Sequence, residues 1–255
     1  MNILLTNDDG IRAEGLWALK EALDDRYNVT VVAPDTERSA VGHAITLNLP
    51  LLIDKIEMDG KGWGYSVSGT PADCVKLAVR ELLEDRPALV IAGINPGPNV
   101  GINIHYSGTV SAAKEAALMG IPALAVSVNS RDGRCFETAA HFARDLAGLV
   151  LREGLPQGTF LNVNIPNTDR LRGVRVTRQG ISGLEESFDR RTDPRSRTYF
   201  WQGSQTEFFD HDPETDGNTL CRDLISITPI RCDMTDYDQV ERLKSWEKIF
   251  SSGES

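Results

Sequence analysis

Apolar and polar residues fall into alternating blocks along the first half of the chain, and the block lengths predict strands and helices in turn. Residues 3–5 are an apolar run too short for a helix and of the length of a buried strand. Residues 15–22 read as a helix, with Leu16, Leu19 and, just beyond, Leu23 on one face. Residues 28–33, ended by Pro34, give a second strand. Residues 46–56 and 64–68 read as further strands, with a hairpin as one arrangement of the two. Thr70-Pro71-Ala72-Asp73 opens a helix, with Thr70 as N-cap and Pro71 at its first position. That helix continues through Val75, Leu77, Ala78 and Leu82. Residues 89–92 are another buried strand. Residues 110–119 form a helix stopped by Gly120 and followed by Pro122, and residues 123–128 are again a strand. The alternation predicts an α/β fold with a mostly parallel sheet and helices on both faces.

After about Ser130 the texture changes. Residues 136–151 are a helix rich in Ala and Leu, and residues 159–165 and 174–178 are strands. Residues 187–205 mix Arg190, Arg191, Arg195 and Arg197 with Tyr199, Phe200 and Trp201. Such a segment cannot fill a core by itself and reads as an arm or an interface. Residues 223–229 give a last strand, and residues 240–250 a closing helix with Leu243, Trp246 and Phe250 spaced for one face. The expected organisation is a core over residues 1–130 and a C-terminal α/β region over residues 131–255, or one integrated domain.

The bulk numbers narrow the function. The chain has 255 residues, 40% of them hydrophobic, enough for one large α/β domain. A formal net charge of −10 argues against stable binding to nucleic acid or an anionic membrane. A small anionic substrate stays open, because a bound metal reverses the local field. Cys74, Cys135, Cys221 and Cys232 are scattered, without the C-x-x-C spacing of a zinc site. Met1 runs straight into the first strand with no basic leader, and no apolar stretch reaches membrane-spanning length. These features predict a cytoplasmic protein with reduced thiols.

The first strand ends on Asn7-Asp8-Asp9-Gly10. In an open parallel α/β sheet, ligands bind beyond the carboxyl ends of the strands. Two adjacent carboxylates repel unless a cation or a proton lies between them. A hard divalent ion, Mg²⁺ or Mn²⁺, suits such oxygen ligands. The plainer reading is a strand-to-helix turn with one acid as a helix cap.

Three further segments lie at the same edge. In Gly93-Ile94-Asn95-Pro96-Gly97-Pro98-Asn99-Val100-Gly101, the amide oxygen of Asn95 can reach the ion held by Asp8 and Asp9. The segment also reads as a glycine-rich turn with a left-handed Asn. It lacks the G-x-G-x-x-G spacing of a dinucleotide loop. Tyr106-Ser107-Gly108-Thr109-Val110 runs into a helix, with Ser107 or Thr109 as cap and Gly108 allowing close backbone approach. Free N–H groups and the helix dipole make such an end a phosphate site, or an ordinary N-cap. Lys114, a turn further on, adds charge there or sits on the surface. In Thr36-Glu37-Arg38-Ser39-Ala40-Val41-Gly42-His43, Ser39 is a candidate metal or phosphate contact and His43 a candidate proton shuttle or structural residue. His105, His141 and His211 form no metal-spaced pair.

Taken together, these segments resemble the SurE family of survival-protein nucleotidases. The resemblance is carried by Asn7-Asp8-Asp9-Gly10, Ala33-Pro34 with Arg38-Ser39, Ser68-Gly69-Thr70-Pro71-Ala72-Asp73, Gly93-Ile94-Asn95-Pro96-Gly97 and Tyr106-Ser107-Gly108-Thr109-Val110. It continues through Asn162-Val163-Asn164-Ile165-Pro166, Thr177-Arg178-Gln179-Gly180, Thr215-Asp216 and Ser226-Ile227-Thr228-Pro229, in family order over nearly the whole chain. The resemblance implies a Rossmann-like three-layer core, a protruding arm and an exchanged C-terminal tail that build a homodimer or homotetramer. It implies a metal-dependent phosphatase acting on nucleoside 5′-monophosphates, with 3′-monophosphates and polyphosphate as further substrates. One divalent cation per subunit is implied, held by Asp8, Asp9, Ser39 and Asn95, with Asp8 and Asp9 catalytic. Asn95, Ser107, Gly108 and Thr109 are the phosphate contacts expected beside it. The chain departs from the family at Ala40, Asn103, Asp223 and Leu224, where glycine, an acid and Gly-Tyr are usual.

The expected reaction is hydrolysis of a phosphomonoester by metal-activated water. Two other classes place acids after a first strand. A receiver-like signalling module needs a phosphoacceptor aspartate at the end of its third strand. A haloacid-dehalogenase-type phosphatase needs Asp-x-Asp, and position 10 is glycine.

Overall fold

A computed structural model describes residues 1–130, 135–168, 170–181, 187–203 and 212–250. The chain runs β1 (Asn2–Thr6), α1 (Glu14–Leu23), β2 (Asn28–Pro34), β3 (Ile53–Met58), β4 (Gly62–Val67) and α2 (Pro71–Leu77). It continues through β5 (Leu89–Pro96), α3 (Gly108–Leu118), β6 (Ala123–Val128), α4 (Phe136–Glu153), β7 (Thr159–Ile165) and β8 (Val174–Val176). It ends with β9 (Phe188–Thr192), β10 (Thr198–Gln202), α5 (Asp216–Leu220), β11 (Ile225–Arg231) and α6 (Tyr237–Phe250).

Among the described residues, nine strands form one sheet in the order β3-β4-β2-β1-β5-β6-β7-β11-β8. The pairs β4-β2, β2-β1, β1-β5, β5-β6 and β6-β7 are parallel. Only β3 against β4 and β11 against β7 run antiparallel within it. The period-2 geometry of a strand divides the core. Ile3 and Leu5 of β1 pack with Leu16, Trp17 and Leu19 of α1 and with the alanine face of α4. Leu4 points the other way, toward Val75 of α2 and Ala112, Ala113 and Ala116 of α3. The result is a three-layer α/β sandwich. Strands from both sides of residue 130 belong to its single large sheet. No helix among the described residues is long and apolar enough to cross a membrane.

The topology positions the site. β1 lies between β2 and β5, so the chain winds away from β1 in both directions. That is the switch point at which open parallel sheets leave a crevice beyond their strand ends. Asp8 and Asp9 follow β1, and Asn95 lies in β5.

Several local expectations are corrected. Residues 46–52 are not strand, and Leu47 and Leu49 are 80% and 73% exposed; the hairpin is β3 with β4. Asn95 does not lie beyond its strand. A register shift between Ala92 and Asn95 lets β5 resume pairing, with Asn95 opposite Ser127. The helix expected through Leu82 loosens into a π-helical turn at Ala78–Leu82. The segment expected as an arm or interface, 187–205, is not contradicted: residues 188–202 form an exposed two-stranded hairpin, β9 with β10, apart from the main sheet. Its last two expected residues, Ser204 and Gln205, lie outside the described residues, as does His211.

Candidate active site

The turn after β1 is shaped by Asn7. Its side-chain N–H donates to Gly10 O at 3.0 Å, and its amide oxygen accepts from Gly10 N at 3.2 Å. Gly10 sits at φ +98°, a conformation that a side chain would strain. The Ile11 N–H then reaches Pro34 O at 2.8 Å, tying the turn to β2. Asp8 and Asp9 are thus presented from a tight, doubly bonded turn.

Asp8 is buried, and the Thr109 hydroxyl donates to its Oδ1 in a close contact. Burial raises the Asp8 pKa, opposed by Thr109. Asp9 is pushed up from 3.8 to about 7, first by burial and then by the charges of Asp8 and Glu37. Its Oδ2 is buried and has no hydrogen-bond partner. A buried carboxylate oxygen left so is costly unless something cationic or a proton meets it.

The helix α3 begins against Asp8. Ser107, rather than Thr109, is its N-cap; Ser107 Oγ accepts the Val110 N–H at 3.1 Å. A Cβ on Gly108 would lie 2.7 Å from Asp8 Cβ and 2.8 Å from Asp8 Oδ2. Only glycine lets the helix start sit on the acid. Thr109 is fully buried, and its hydroxyl serves Asp8.

Asn95 donates its amide N–H to Gly97 O at 2.6 Å, which turns its amide oxygen toward other partners. Ser39 is exposed, and its hydroxyl donates to Glu37 Oε1. The 36–43 loop is fastened near the helix by Gly42 N–H to Tyr106 O at 2.9 Å, and by His43 Nε2 to Glu115 Oε2 at 2.8 Å. The His43 contact holds the Glu115 carboxyl below its usual range, and His43 has a structural partner.

A cleft of about 860 Å³ gathers Asp8, Ser39, Asn95 and Ser107, with Asn103 and Tyr106 along its side. Gln202 and Gly203 bring the end of the β9-β10 hairpin to the same cleft. Gly108 and Thr109 lie buried behind Asp8. Lys114 is not at this cleft; it lines a separate cavity together with His43 and His105.

The glycine-rich loop is held by residues that spacing alone did not mark as a site. Asn162 and Asn164 both donate to Asn99 O, at 2.7 and 3.1 Å, and Asn164 Oδ1 accepts the Asn99 N–H at 2.8 Å. Asp216, fully buried, accepts from Gly101 and Gly180 N–H at 2.9 and 3.0 Å. The available signal was the two asparagines at alternate positions of an otherwise apolar strand. They share one buried face and so need polar partners.

The donor types fit a hard divalent cation: Asp8, Asn95 and Ser39 share the cleft, and Asp9, next along the chain but not in the cleft lining, has one carboxylate oxygen buried and unpartnered. Among the described residues no three His, Cys, Asp or Glu side chains cluster as a metal site.

Comparison with known proteins agrees along the chain. A family model described as survival protein SurE matches residues 3–186. The 5′-nucleotidase SurE of Desulfatibacillum aliphaticivorans is 54% identical over 250 residues, covering 97% of this chain and 98% of that protein. The 5′-nucleotidase SurE of Syntrophobacter fumaroxidans is 51% identical over 248 residues, covering 96% and 99%. The crystal structure of the SurE protein from Aquifex aeolicus superposes with a TM-score of 0.85 at 41% identity, covering 97% of this chain and 100% of that one. With the model matched over most of its length and relatives this similar, the chain belongs to the survival protein SurE family.

Proposed function

We propose that the chain is a metal-dependent phosphomonoesterase, a 5′-nucleotidase that hydrolyses nucleoside monophosphates to nucleoside and phosphate in the cytoplasm. One observation carries the reading: of an acid pair at the sheet's switch point, Asp8 lies against the start of a helix and Asp9 keeps one carboxylate oxygen buried without a partner. The relatives' names point to the same activity. Of the two rival classes, a receiver lacks its phosphoacceptor, since the comparable strand carries Asn95. A haloacid-dehalogenase-type enzyme lacks its second acid at Gly10.

Asp8, Asp9, Ser39 and Asn95 would hold one Mg²⁺ or Mn²⁺ per subunit. A divalent ion there supplies Lewis acidity to a phosphoryl oxygen and makes a water more acidic. The chain's own groups do the rest. Gly108 N–H at the first turn of α3 receives phosphate oxygens, helped by the helix dipole. Ser107 Oγ accepts from Val110, which leaves its hydroxyl hydrogen for a phosphate oxygen. Thr109 belongs to this phosphate-binding turn and keeps Asp8 in place. The water's proton leaves to a carboxylate oxygen of the acid pair. The test is a phosphate-release panel over 5′- and 3′-nucleotides, polyphosphate and metals, with Asp8→Asn as control. Release from 5′-monophosphates, lost in the control, is expected; no release from any nucleotide with any metal would overturn the proposal.

Gly108→Ala tests the contact of helix and acid. The added methyl must displace Asp8 or the helix start. Misplacement by an ångström is expensive for a catalytic group, so turnover should fall about tenfold or more. Vanadate inhibition should weaken in parallel. Near-normal turnover and an unchanged inhibition constant in the folded variant would place the phosphate elsewhere.

The assembly proposed is a homodimer or homotetramer built by the β9-β10 arm and the α6 tail. Phe200 and Trp201 of the arm and Trp246, Ile249 and Phe250 of α6 are exposed on the single chain. Aromatics so exposed are typical of interfaces. Deleting the residues from Val240 onward should lower the oligomeric state, read by light scattering. A monodisperse monomer of the intact chain, or a truncated chain of unchanged assembly size, would contradict this.

A further inference from the structure

Behind the catalytic cleft, on the other side of the 101–107 segment, lies a second cavity of about 460 Å³. His43, His105, Lys114, Arg178 and Arg231 line it, against a single acid in the lining, Asp233. That is an unusual collection in a chain of net charge −10. Part of the charge is already matched. Arg178 pairs with Asp212, His43 with Glu115, and Asp233 accepts the Tyr237 hydroxyl. Among the described residues Lys114 and Arg231 make no ion pair or side-chain hydrogen bond within contact distance, although, after the Tyr237 hydroxyl, the Arg231 charge is near enough to help hold Asp233 ionised. Under the charged rim the floor is apolar: Ile104, Val110 and Phe160 are buried there and Ile230 is half-buried, while Met234, also in the lining, is 75% exposed.

We propose that this cavity is a second ligand site, distinct from the catalytic cleft, for a phosphorylated organic anion of nucleotide size. Lys114 and Arg231 take the anionic group, and the apolar floor takes the body. The volume is that of a small-molecule site, and a bare phosphate ion would leave most of the floor uncovered. The two sites share a wall. Ser39 and Ala40 line the cleft and His43 the cavity; Asn103 and Tyr106 line the cleft and Ile104 and His105 the cavity. Ser111, in the cavity, donates to Ser107 O at 2.6 Å, and Ser107 faces the cleft. An occupant of the cavity therefore presses on the elements that carry Ser39 and Ser107. The site goes beyond the nucleotidase reading and does not depend on it.

The test uses the intact, metal-stripped protein in chelator, with AMP, adenosine and inorganic phosphate as separate probes in calorimetry. Labelling with photoreactive 8-azido-AMP locates the site by peptide mapping. AMP should bind more tightly than either fragment, and label should appear on peptides carrying residues 177–179 or 229–234. Lys114→Glu with Arg231→Glu should weaken that binding about tenfold or more, the scale of losing charge-assisted contacts. Lys114→Met with Arg231→Met removes the charge while retaining apolar stems, and should weaken AMP while sparing adenosine. Label confined to residues 95–99 or 202–203, which line only the cleft, would overturn the proposal, and so would AMP affinity unchanged in both double variants. Binding of phosphate as tight as that of AMP would overturn the assigned ligand class.

Discussion

Asp8→Asn and Asp9→Asn should each lower turnover by about two orders of magnitude or more, the scale of removing one strong electrostatic element from a site. Both retain shape and hydrogen-bonding capacity, so the loss measures charge. Folding should respond in the opposite sense. Between an ordinary 3.8 and about 7, the folded chain without metal holds a proton on Asp9 that the unfolded chain has released. Stability then falls as pH rises through that window, and the loss is complete above it. Asparagine does not ionise. In chelator at about pH 8, Asp9→Asn should therefore melt above the parent, and the gap should shrink toward zero near about pH 4. Turnover close to the parent's at saturating substrate and metal would refute the catalytic assignment. A melting difference independent of pH would refute the origin given for the stability gain.

Chelation should abolish phosphate release, and Mg²⁺ or Mn²⁺ should restore it. The cause lies in the donor set. Asp8 and Asp9 are adjacent acids in a desolvated turn; burial raises the cost of charge on both, and the Asp8 charge raises it further on Asp9. A divalent ion offsets that cost, while a proton competes for the same oxygens. Apparent metal affinity should consequently rise with pH up to about 7 and then level off. Titrating Mn²⁺ into the stripped protein at several pH values measures this. Full activity after rigorous metal removal would defeat the idea.

Much of the fold was legible because buried parallel strands are written as short apolar runs between breakers. The runs at 3–5, 28–33, 123–128 and 159–165 became β1, β2, β6 and β7 with little or no change of boundary. The capping pattern at Thr70-Pro71-Ala72-Asp73 became a capping box at the start of α2. The same local rule misled at residues 46–52. Apolar content reports a tendency to be covered, and Leu47, Leu49 and Leu52 are exposed on the single chain.

The sequence by itself determined the α/β class, the strand that delivers Asp8 and Asp9, and the cap at Thr70. Each is a property of neighbouring residues: run length, breaker and capping chemistry. At the start of α3 it offered Ser107 or Thr109, and the structure chose Ser107. Only the tertiary structure decided that Asn95 remains inside β5, that Thr109 is turned onto Asp8, and that Lys114 faces a separate cavity. It alone joined Asn99 to Asn162 and Asn164, and Gly101 to Asp216. Periodicity records which face of an element is buried. It does not record which distant element does the burying, and buried polar groups take their partners from that choice.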